Sequence, residues 1–331
     1  SACDWRAESV DGQRFQPRHP PSDVNRYRHA ALFLCLSAVW GTAFMVTKVG
    51  LQTAPPALLA ALRFDIATVL LFGYVALRGV QWRPRGTDWY PLVTGGALII
   101  GVHHALLFAG QQYVTSAVAA VLLGLIPVVT PALTRLTATG ERLSSLGVLG
   151  VLVGFAGVVV IADPDPASLT VDALGVGLVL ASALAFALGA VLTYGRAPSL
   201  SVPAEQAWMM AIGSVTLHVA SVALGEPVPT VWPVEAVAAL VYLAVVAGIG
   251  GFVLYFVLLD ALGPIEVSLL EYVIPVFAAL TGWLALGESL SASTVAGFAL
   301  IFAGFLLVKG RALRGELRRW DGRDGVVSGD D

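Results

Sequence analysis

The sequence from residue 265 to residue 308 reads IEVSLLEYVIPVFAALTGWLALGESLSASTVAGFALIFAGFLLV. Two apolar runs, 265–286 and 292–308, are separated here by a short polar segment that contains Glu288. A helix needs about 20 apolar residues to cross the hydrocarbon core of a bilayer, and eight similar runs precede these two. We therefore predict an all-α integral membrane protein with ten transmembrane helices, at about 30–50, 57–77, 89–109, 116–136, 145–162, 173–194, 204–224, 235–257, 265–286 and 292–308.

The composition of the whole chain supports this prediction. Of the 331 residues, 57% are hydrophobic and 12% are charged, and the mean hydropathy is +0.82. A soluble domain carries about 25% charged residues, so a soluble enzyme is excluded. The apolar runs are nearly continuous rather than alternating, which favours helices over the strands of a membrane barrel. A net charge of −3 offers no basic surface for nucleic acid.

Lysine and arginine residues lie on one side of the predicted membrane. With the N-terminus in the cytoplasm, every outer joint between spans lacks Lys and Arg, whereas nearly every inner segment carries them. Positive residues favour the cytoplasmic side of spans, so both termini of this multi-pass plasma-membrane protein are predicted to be cytoplasmic. Residues 1–29 are predicted to form a flexible cytoplasmic tail, and residues 309–331 a second cytoplasmic tail.

Two short motifs occur in the same order in each half of the chain. The motifs are Ile126-Pro127-Val128 with Gly140-Glu141 in the first half, and Ile274-Pro275-Val276 with Gly287-Glu288 in the second. Beyond them, Gly150 and Gly157 match Gly297 and Gly304. We therefore predict two five-helix repeats, 30–162 and 173–308. Because five is odd, the second repeat enters the membrane from the opposite face, as in the inverted repeats of many secondary transporters.

This ordered set of features resembles the EamA family of the drug/metabolite transporter superfamily. The resemblance rests on Trp40-Gly41 in span one, Arg63-Phe64 in span two, and the Pro-Val and Gly-Glu motifs that close each half. It covers residues 30–308 and leaves out both tails. The resemblance implies efflux or exchange of small metabolites, often amino acids or drug-like compounds, and no agreed catalytic constellation. The excess of arginine over lysine is typical of a GC-rich prokaryote.

Two prolines and a glutamate mark unusual helix interiors. Pro127 and Pro275 lie near the middle of spans four and nine, and matched helix discontinuities point to the substrate site of a transporter. A packing kink is the alternative. Glu271 lies about 10 Å deep in span nine, where an ionisable group usually faces a cavity or a partner. With Tyr272 beside it, Glu271 is the candidate for proton coupling, and a structural carboxyl group is the alternative.

Four further ionisable residues lie inside predicted spans. Arg63 and Asp65 point to different faces of span two, so one can pair across helices while the other lines the pathway. His103 and His104 diverge by about 100° in span three. We therefore expect no shared metal site and at most one histidine at the pathway. Trp40 is a candidate for stacking on a substrate.

Small residues in span five predict how this helix packs. Gly147, Gly150, Gly154 and Gly157 recur every three or four residues along span five, which predicts close helix packing. Packing within a monomer is favoured, and a homodimer stays open.

The chain lacks a phosphate-binding GxxxxGKS loop, which excludes ATP-driven transport by this chain. It also lacks a clustered Cys/His pattern and a nucleophile elbow, so no cofactor or metal ion is expected.

The leading functional hypothesis is a secondary transporter, an exporter or exchanger, that moves a small-molecule metabolite across the lipid bilayer by alternating access. The alternative is a membrane-embedded enzyme or sensor that uses Glu271 and an intramembrane histidine. The repeat and the absence of a metal motif favour transport over enzymatic activity. Within transport, Arg63, Asp65 and Glu271 acting together suit a zwitterion, whereas a lone deep carboxylate suits a cation.

The predicted topology can be tested by cysteine labelling. In a variant without Cys3 and Cys35, a cysteine at Ser168 should react with an impermeant reagent added outside intact cells. A cysteine at Ser201 should react only after the cells are opened, because the two joints are predicted to lie on opposite sides. Labelling of both positions from one side would contradict this topology.

Overall fold

The computed structural model describes residues 23–133, 145–162, 171–193, 196, 198–262, 267 and 270–324. Helices and their connections account for these residues, and none of them belongs to a β-strand. This confirms the all-helical class. The predicted Gly140-Glu141 motif, residues 1–22 of the N-terminal tail and residues 325–331 of the C-terminal tail lie outside the described residues.

The first half of the chain contains helices α1 to α5. Helix α3 is continuous but has a π-helical segment in its middle, and helix α4 consists of two pieces that are separated by a turn at Gly124 and Leu125. The bounds are α1 Asp23–Leu51, α2 Pro56–Arg78, α3 Trp89–Gly95 with Gly96–Val102 and His103–Gly110, α4 Ser116–Leu123 with Ile126–Leu133, and α5 Ser145–Ala162.

The second half contains helices α6 to α10 in the same order. Helix α8 corresponds to α3 and likewise contains a π-helical segment. The bounds are α6 Val171–Thr193, α7 Val202–Ala223, α8 Val234–Val241 with Tyr242–Gly250 and Gly251–Leu262, α9 Leu270–Leu286, and α10 Ala292–Asp324.

Six helical stretches in the described part of the chain are long and apolar enough to cross a membrane. They are Tyr27–Leu51, Pro56–Arg78, Gly86–Gly110, Ala173–Thr193, Val202–Ala223 and Val234–Tyr255. Four shorter apolar helices, of 10–17 residues, are Ser116–Thr130, Ser145–Gly157, Leu270–Leu286 and Ala292–Val308. Six of the ten predicted spans therefore reach spanning length within the described residues. In helix α4 the hydrogen-bonded ladder is interrupted at Gly124 and Leu125, and residues 134–136 of the predicted span lie outside the described residues.

The surface of the helical assembly is apolar. Leu77 of α2 and Val222 of α7 are among the most exposed side chains, and many other large apolar side chains are exposed along the helices. A soluble monomer rarely exposes such large apolar patches. The interior combines large side chains such as Phe64 with small ones such as Ala60 and Ala61 of α2, and the small residues allow the helices to approach closely.

Helices α5 and α10 cross antiparallel through glycine contacts. A Cβ atom added at Gly150 would lie 2.6 Å from the carbonyl oxygen of Gly304, and one at Gly157 would lie 2.6 Å from that of Gly297. These four residues are the glycines that match between the two halves. Gly154 packs against Leu125 and Val128 of α4, and Gly147 is also buried. The glycine face of α5 thus packs within the monomer.

Substitution of one of these glycines should destabilise the protein. The Gly157→Ala change places a methyl group against a backbone carbonyl, so the free energy of unfolding should fall by about 1–3 kcal/mol. Gly73→Ala is the matched control, because a Cβ atom at Gly73 meets nothing within 4 Å. Its effect should be a gain of up to about 1 kcal/mol in helix propensity. Thermal unfolding in detergent measures both, and equal stability of the two variants would contradict the close packing.

Candidate substrate site

The first helix of each half packs on the π-helical region of the other half. Helix α1 contacts α8 near its segment Tyr242–Gly250, and helix α6 contacts α3 near its segment Gly96–Val102. A π-helical segment disturbs the regular backbone hydrogen bonds and often occurs at functional sites. Sequence reasoning missed both segments, although glycines cluster around each of them.

Trp40 connects α1 to the π-helical segment of α8. Its Nε1 donates a hydrogen bond to the carbonyl oxygen of Ala247 at 3.1 Å. The indole stacks on Tyr255 at a centroid distance of 5.7 Å and meets Phe252 edge to face. A Cβ atom at Gly251 would collide with the indole, so glycine is needed there for this close approach. Trp40 is thus held between the two halves.

His103 and His104 lie together at the contact between α3 and α6. Nδ1 of His103 lies 3.2 Å from the carbonyl oxygen of Ser182 and 2.8 Å from its hydroxyl. Nδ1 of His104 lies 2.9 Å from the carbonyl oxygen of Ile100. The two rings are 4.6 Å apart, and the His103 ring meets Phe186 at 5.1 Å. Helical spacing predicted diverging directions, but both imidazoles rotate about their side-chain bonds into one cluster.

Arg63 of α2 lies beside this histidine cluster. Its guanidinium carbon is 4.5 Å from the ring centroid of Phe64 and 5.6 Å from that of Phe108. Phe64 in turn meets the His104 ring edge to face at 4.7 Å. The Arg63 residue is only 7% exposed, and its Nε atom is buried without a hydrogen-bond partner. Within the described residues, Arg63 forms no ion pair.

Asp65 does not neutralise Arg63. Its carboxylate accepts a hydrogen bond from the Ser214 hydroxyl and lies 2.8 Å from Nε2 of His218, both on α7. The Asp65 and His218 side chains are each 42% exposed. Asp65 therefore pairs across helices, while Arg63 has no ion-pair partner among the residues that the structure describes. The pairing of Asp65 with His218 depends on how α2 and α7 pack, so the sequence of either helix alone does not reveal it.

Glu271 and Tyr272 lie at the beginning of the described part of α9. The Tyr272 hydroxyl donates to the carbonyl oxygen of Gly124 at 3.4 Å, and its ring packs against Phe302 and Phe305 of α10. Glu271 lies within electrostatic reach of Tyr255 and Tyr272. Glu271 therefore neighbours the Tyr255 ring on which Trp40 stacks, whereas Tyr272 fills the space between α4, α9 and α10.

The two prolines have different surroundings. Pro127 is buried in the first turn of the second piece of α4, directly after the interruption of the helix. Pro275 lies inside α9 and borders an apolar cleft of about 370 Å³ between α4, α9 and α10. Trp283 and Phe298 also line this cleft. Of the two prolines, only Pro275 lines it.

Polar contacts tie the two halves together at the helix ends. Lys48 at the end of α1 pairs with Glu288 at 2.8 Å, and Glu288 also accepts from the backbone N–H of Ser116 at 2.9 Å. Asp88 accepts from the backbone N–H of Ser199 at 2.9 Å. Glu226 accepts from the first N–H groups of α2, which favour a negative charge.

Comparison with known proteins places the chain in a family. It is 30% identical over 290 residues to YedA, an uncharacterized inner membrane transporter of Escherichia coli (strain K12), which covers 86% of this chain and 91% of YedA. It is 29% identical over 277 residues to the protein PecM of Dickeya dadantii (strain 3937), with 82% and 89% covered. It also matches an uncharacterized transporter of Archaeoglobus fulgidus, with 27% identity over 274 residues.

A solved crystal structure and a family model extend these comparisons. The crystal structure has 22% sequence identity and a TM-score of 0.58, covers 88% of this chain and 99% of its own, and shows a shared fold. The model of the EamA-like transporter family matches the chain twice, at residues 28–162 and 173–310. The chain therefore belongs to the EamA-like transporter family, as its sequence motifs predicted.

Proposed function

We propose that this protein is a secondary transporter that exports or exchanges small metabolites by alternating access. In this proposal, residues 30–162 and 173–308 form two inverted repeats of five transmembrane helices, with both termini in the cytoplasm. The observation that carries the proposal is the antiparallel pairing of corresponding helices. Gly150 and Gly157 of α5 meet Gly304 and Gly297 of α10, so the two helices run in opposite directions.

Helices α2 and α7 form a second pair of corresponding helices. Phe72 meets Trp208 at 5.3 Å, and the hydroxyl of Ser201 donates to the carbonyl oxygen of Gln81. Residues late in α2 and just after it thus contact residues early in α7, and the two helices are antiparallel. Inverted repeats place the substrate between the halves, where Trp40 and His103 make their contacts across the halves.

The alternative hypothesis of a membrane-embedded enzyme or sensor requires Glu271 to act with a histidine. Glu271 lies within electrostatic reach of Tyr255 and Tyr272, whereas His103 and His104 contact Ser182, Phe186 and each other. The relatives YedA and the Archaeoglobus protein are named as transporters. Both observations support transport.

Transport can be measured with the purified protein in proteoliposomes. A thermal-shift screen of metabolites identifies a ligand, and its labelled form is then used in a counterflow assay. Alternation is tested with Lys48→Cys and Glu288→Cys together, because a reducible bifunctional thiol reagent that spans the distance of the native ion pair holds the two halves at one end. We expect the cross-linked double variant to lose counterflow and the reduced one to regain it. Binding without counterflow in the reduced protein would contradict the proposal.

We expect the charge of Arg63 to be required for transport although it lowers the free energy of unfolding of the protein. A cation–π contact contributes about 2 kcal/mol when desolvated, whereas the penalty for burying an ion is several kcal/mol. Arg63→Met keeps the length of the side chain and removes the charge, so the free energy of unfolding should rise by about 1–2 kcal/mol. Counterflow should be lost in the same variant.

Arg78→Met is the matched control for this substitution. Arg78 is on the same helix and also contacts an aromatic ring, that of Tyr74, but it is exposed. Its substitution should change stability by less than about 0.5 kcal/mol and leave counterflow intact. Lower stability with intact counterflow in Arg63→Met would show a structural role for Arg63.

Proton coupling is proposed for Glu271, because it is an ionisable group on the helix that contains Pro275, four residues before that proline. Glu271→Gln should retain substrate binding but lose pH-driven uptake into vesicles, since the amide cannot carry the proton. Glu271→Asp should retain part of this uptake, because the carboxyl group is kept on a shorter side chain. Full pH-driven uptake by the Gln variant would eliminate the coupling role and leave a facilitator or exchanger.

A further inference from the structure

We infer that the site around Arg63 binds a small carboxylate that carries an apolar group and a neutral hydrogen-bond donor such as a hydroxyl or an amide N–H. The inference rests on the proposed function and specifies its substrate class. It follows from three features of the described residues, which are the unpaired guanidinium of Arg63, the aromatic rings around it, and the free ring nitrogens of His103 and His104.

The guanidinium of Arg63 has no anionic partner among the described residues, so we expect it to bind an anion from outside the chain. Arginine has five N–H donors and no acceptor, and its planar fork matches a carboxylate. Arg63 is 7% exposed and forms neither an ion pair nor a hydrogen bond in the described part of the chain. Asp65 is two residues away but is bound to Ser214 and His218. A bound carboxylate would complete the missing pair.

The aromatic rings around the guanidinium indicate that the rest of the ligand is apolar. Phe64 and Phe108 lie 4.5 and 5.6 Å from the guanidinium carbon, and Phe186 lies 5.1 Å from the His103 ring. Rings of this kind pack against apolar or aromatic groups. The ligand is therefore a carboxylate on an apolar frame rather than an inorganic anion.

His104 supplies a hydrogen-bond acceptor. Its Nδ1 faces the backbone carbonyl of Ile100, which can only accept, so we assign the proton to Nδ1, and Nε2 is left as an acceptor. Nδ1 of His103 meets both the carbonyl and the hydroxyl of Ser182, and because the hydroxyl can donate, only His104 is assigned as an acceptor. No described residue bonds to Nε2 of His103 or His104. An ammonium group is disfavoured there because Arg63 is close, so a neutral donor fits this position, and the zwitterion expected from Arg63, Asp65 and Glu271 together does not.

The test compares four probes that share a phenyl ring. Mandelate has a carboxylate and a hydroxyl, mandelamide lacks the charge, phenylacetate lacks the hydroxyl, and phenylglycine is the zwitterion. Isothermal titration of the full-length protein in detergent should give mandelate a Kd of about 1 mM or tighter. Mandelamide should bind about tenfold more weakly, because the charge-assisted pair with Arg63 is lost. Phenylacetate and phenylglycine should each bind at least about threefold more weakly than mandelate.

Variants of Arg63 assign the effect to this side chain. Arg63→Gln should remove the preference for mandelate over mandelamide, whereas Arg78→Gln should keep it. If Arg63→Gln does not fold, Arg63→Lys replaces it, and mandelate should then bind about tenfold more weakly because the planar fork is lost. Phenyl phosphate reports a phosphate preference, and tighter binding of that probe than of mandelate would overturn the inference.

The remaining outcomes separate this inference from the proposed function. Equal binding of mandelamide and mandelate, no mandelate binding, or a mandelate preference that survives in the Arg63 variants would overturn the carboxylate site. Counterflow of another solute in the same preparation would leave the transport function intact. Binding of mandelate through Arg63 without counterflow of any solute would support the site and contradict transport.

Discussion

A carbonyl oxygen that leaves the regular ladder of a helix inside a membrane must find a donor within the protein. In the part of the chain that the structure describes, the helices depart from regularity in three places, and each departure is packed against protein. The carbonyl of Ala247 in the π-helical segment of α8 accepts from Trp40. The carbonyl of Gly124 at the interruption of α4 accepts from Tyr272. The π-helical segment of α3 leads directly into His103 and His104.

This constraint explains why the irregular segments lie between the two halves. A lipid-facing helix cannot satisfy a freed carbonyl, whereas a helix of the other half can bring a side-chain donor to it. Trp40 of α1 does so for α8, and the corresponding contact brings α6 against α3. The irregular backbone is therefore where the two halves meet, and this is also where a transporter of inverted repeats holds its substrate.

The charged side chains differ in whether a partner lies close to them. Asp65 has partners on α7, and Glu288 has Lys48 and the first N–H group of α4. Arg63 lacks such a partner among the described residues, and it lies next to two histidines rather than a carboxylate. Buried charges in membrane helices are usually paired or line a pathway. Among the described residues, the unpaired charge of Arg63 therefore distinguishes its surroundings most clearly from a region that serves only for packing.

The sequence alone determined the membrane class, the succession of apolar helices and the family, because apolar runs and the Pro-Val and Gly-Glu motifs depend only on local order. It also singled out Arg63, His103 and Glu271 as costly groups in an apolar setting. Only the tertiary structure decided that Asp65 binds His218, that both histidines share one cluster, and that Tyr272 fills a packed space. Partners across helices depend on the rotation and register of each helix, and these are set by close packing at residues such as Gly157 rather than by the sequence of any one helix.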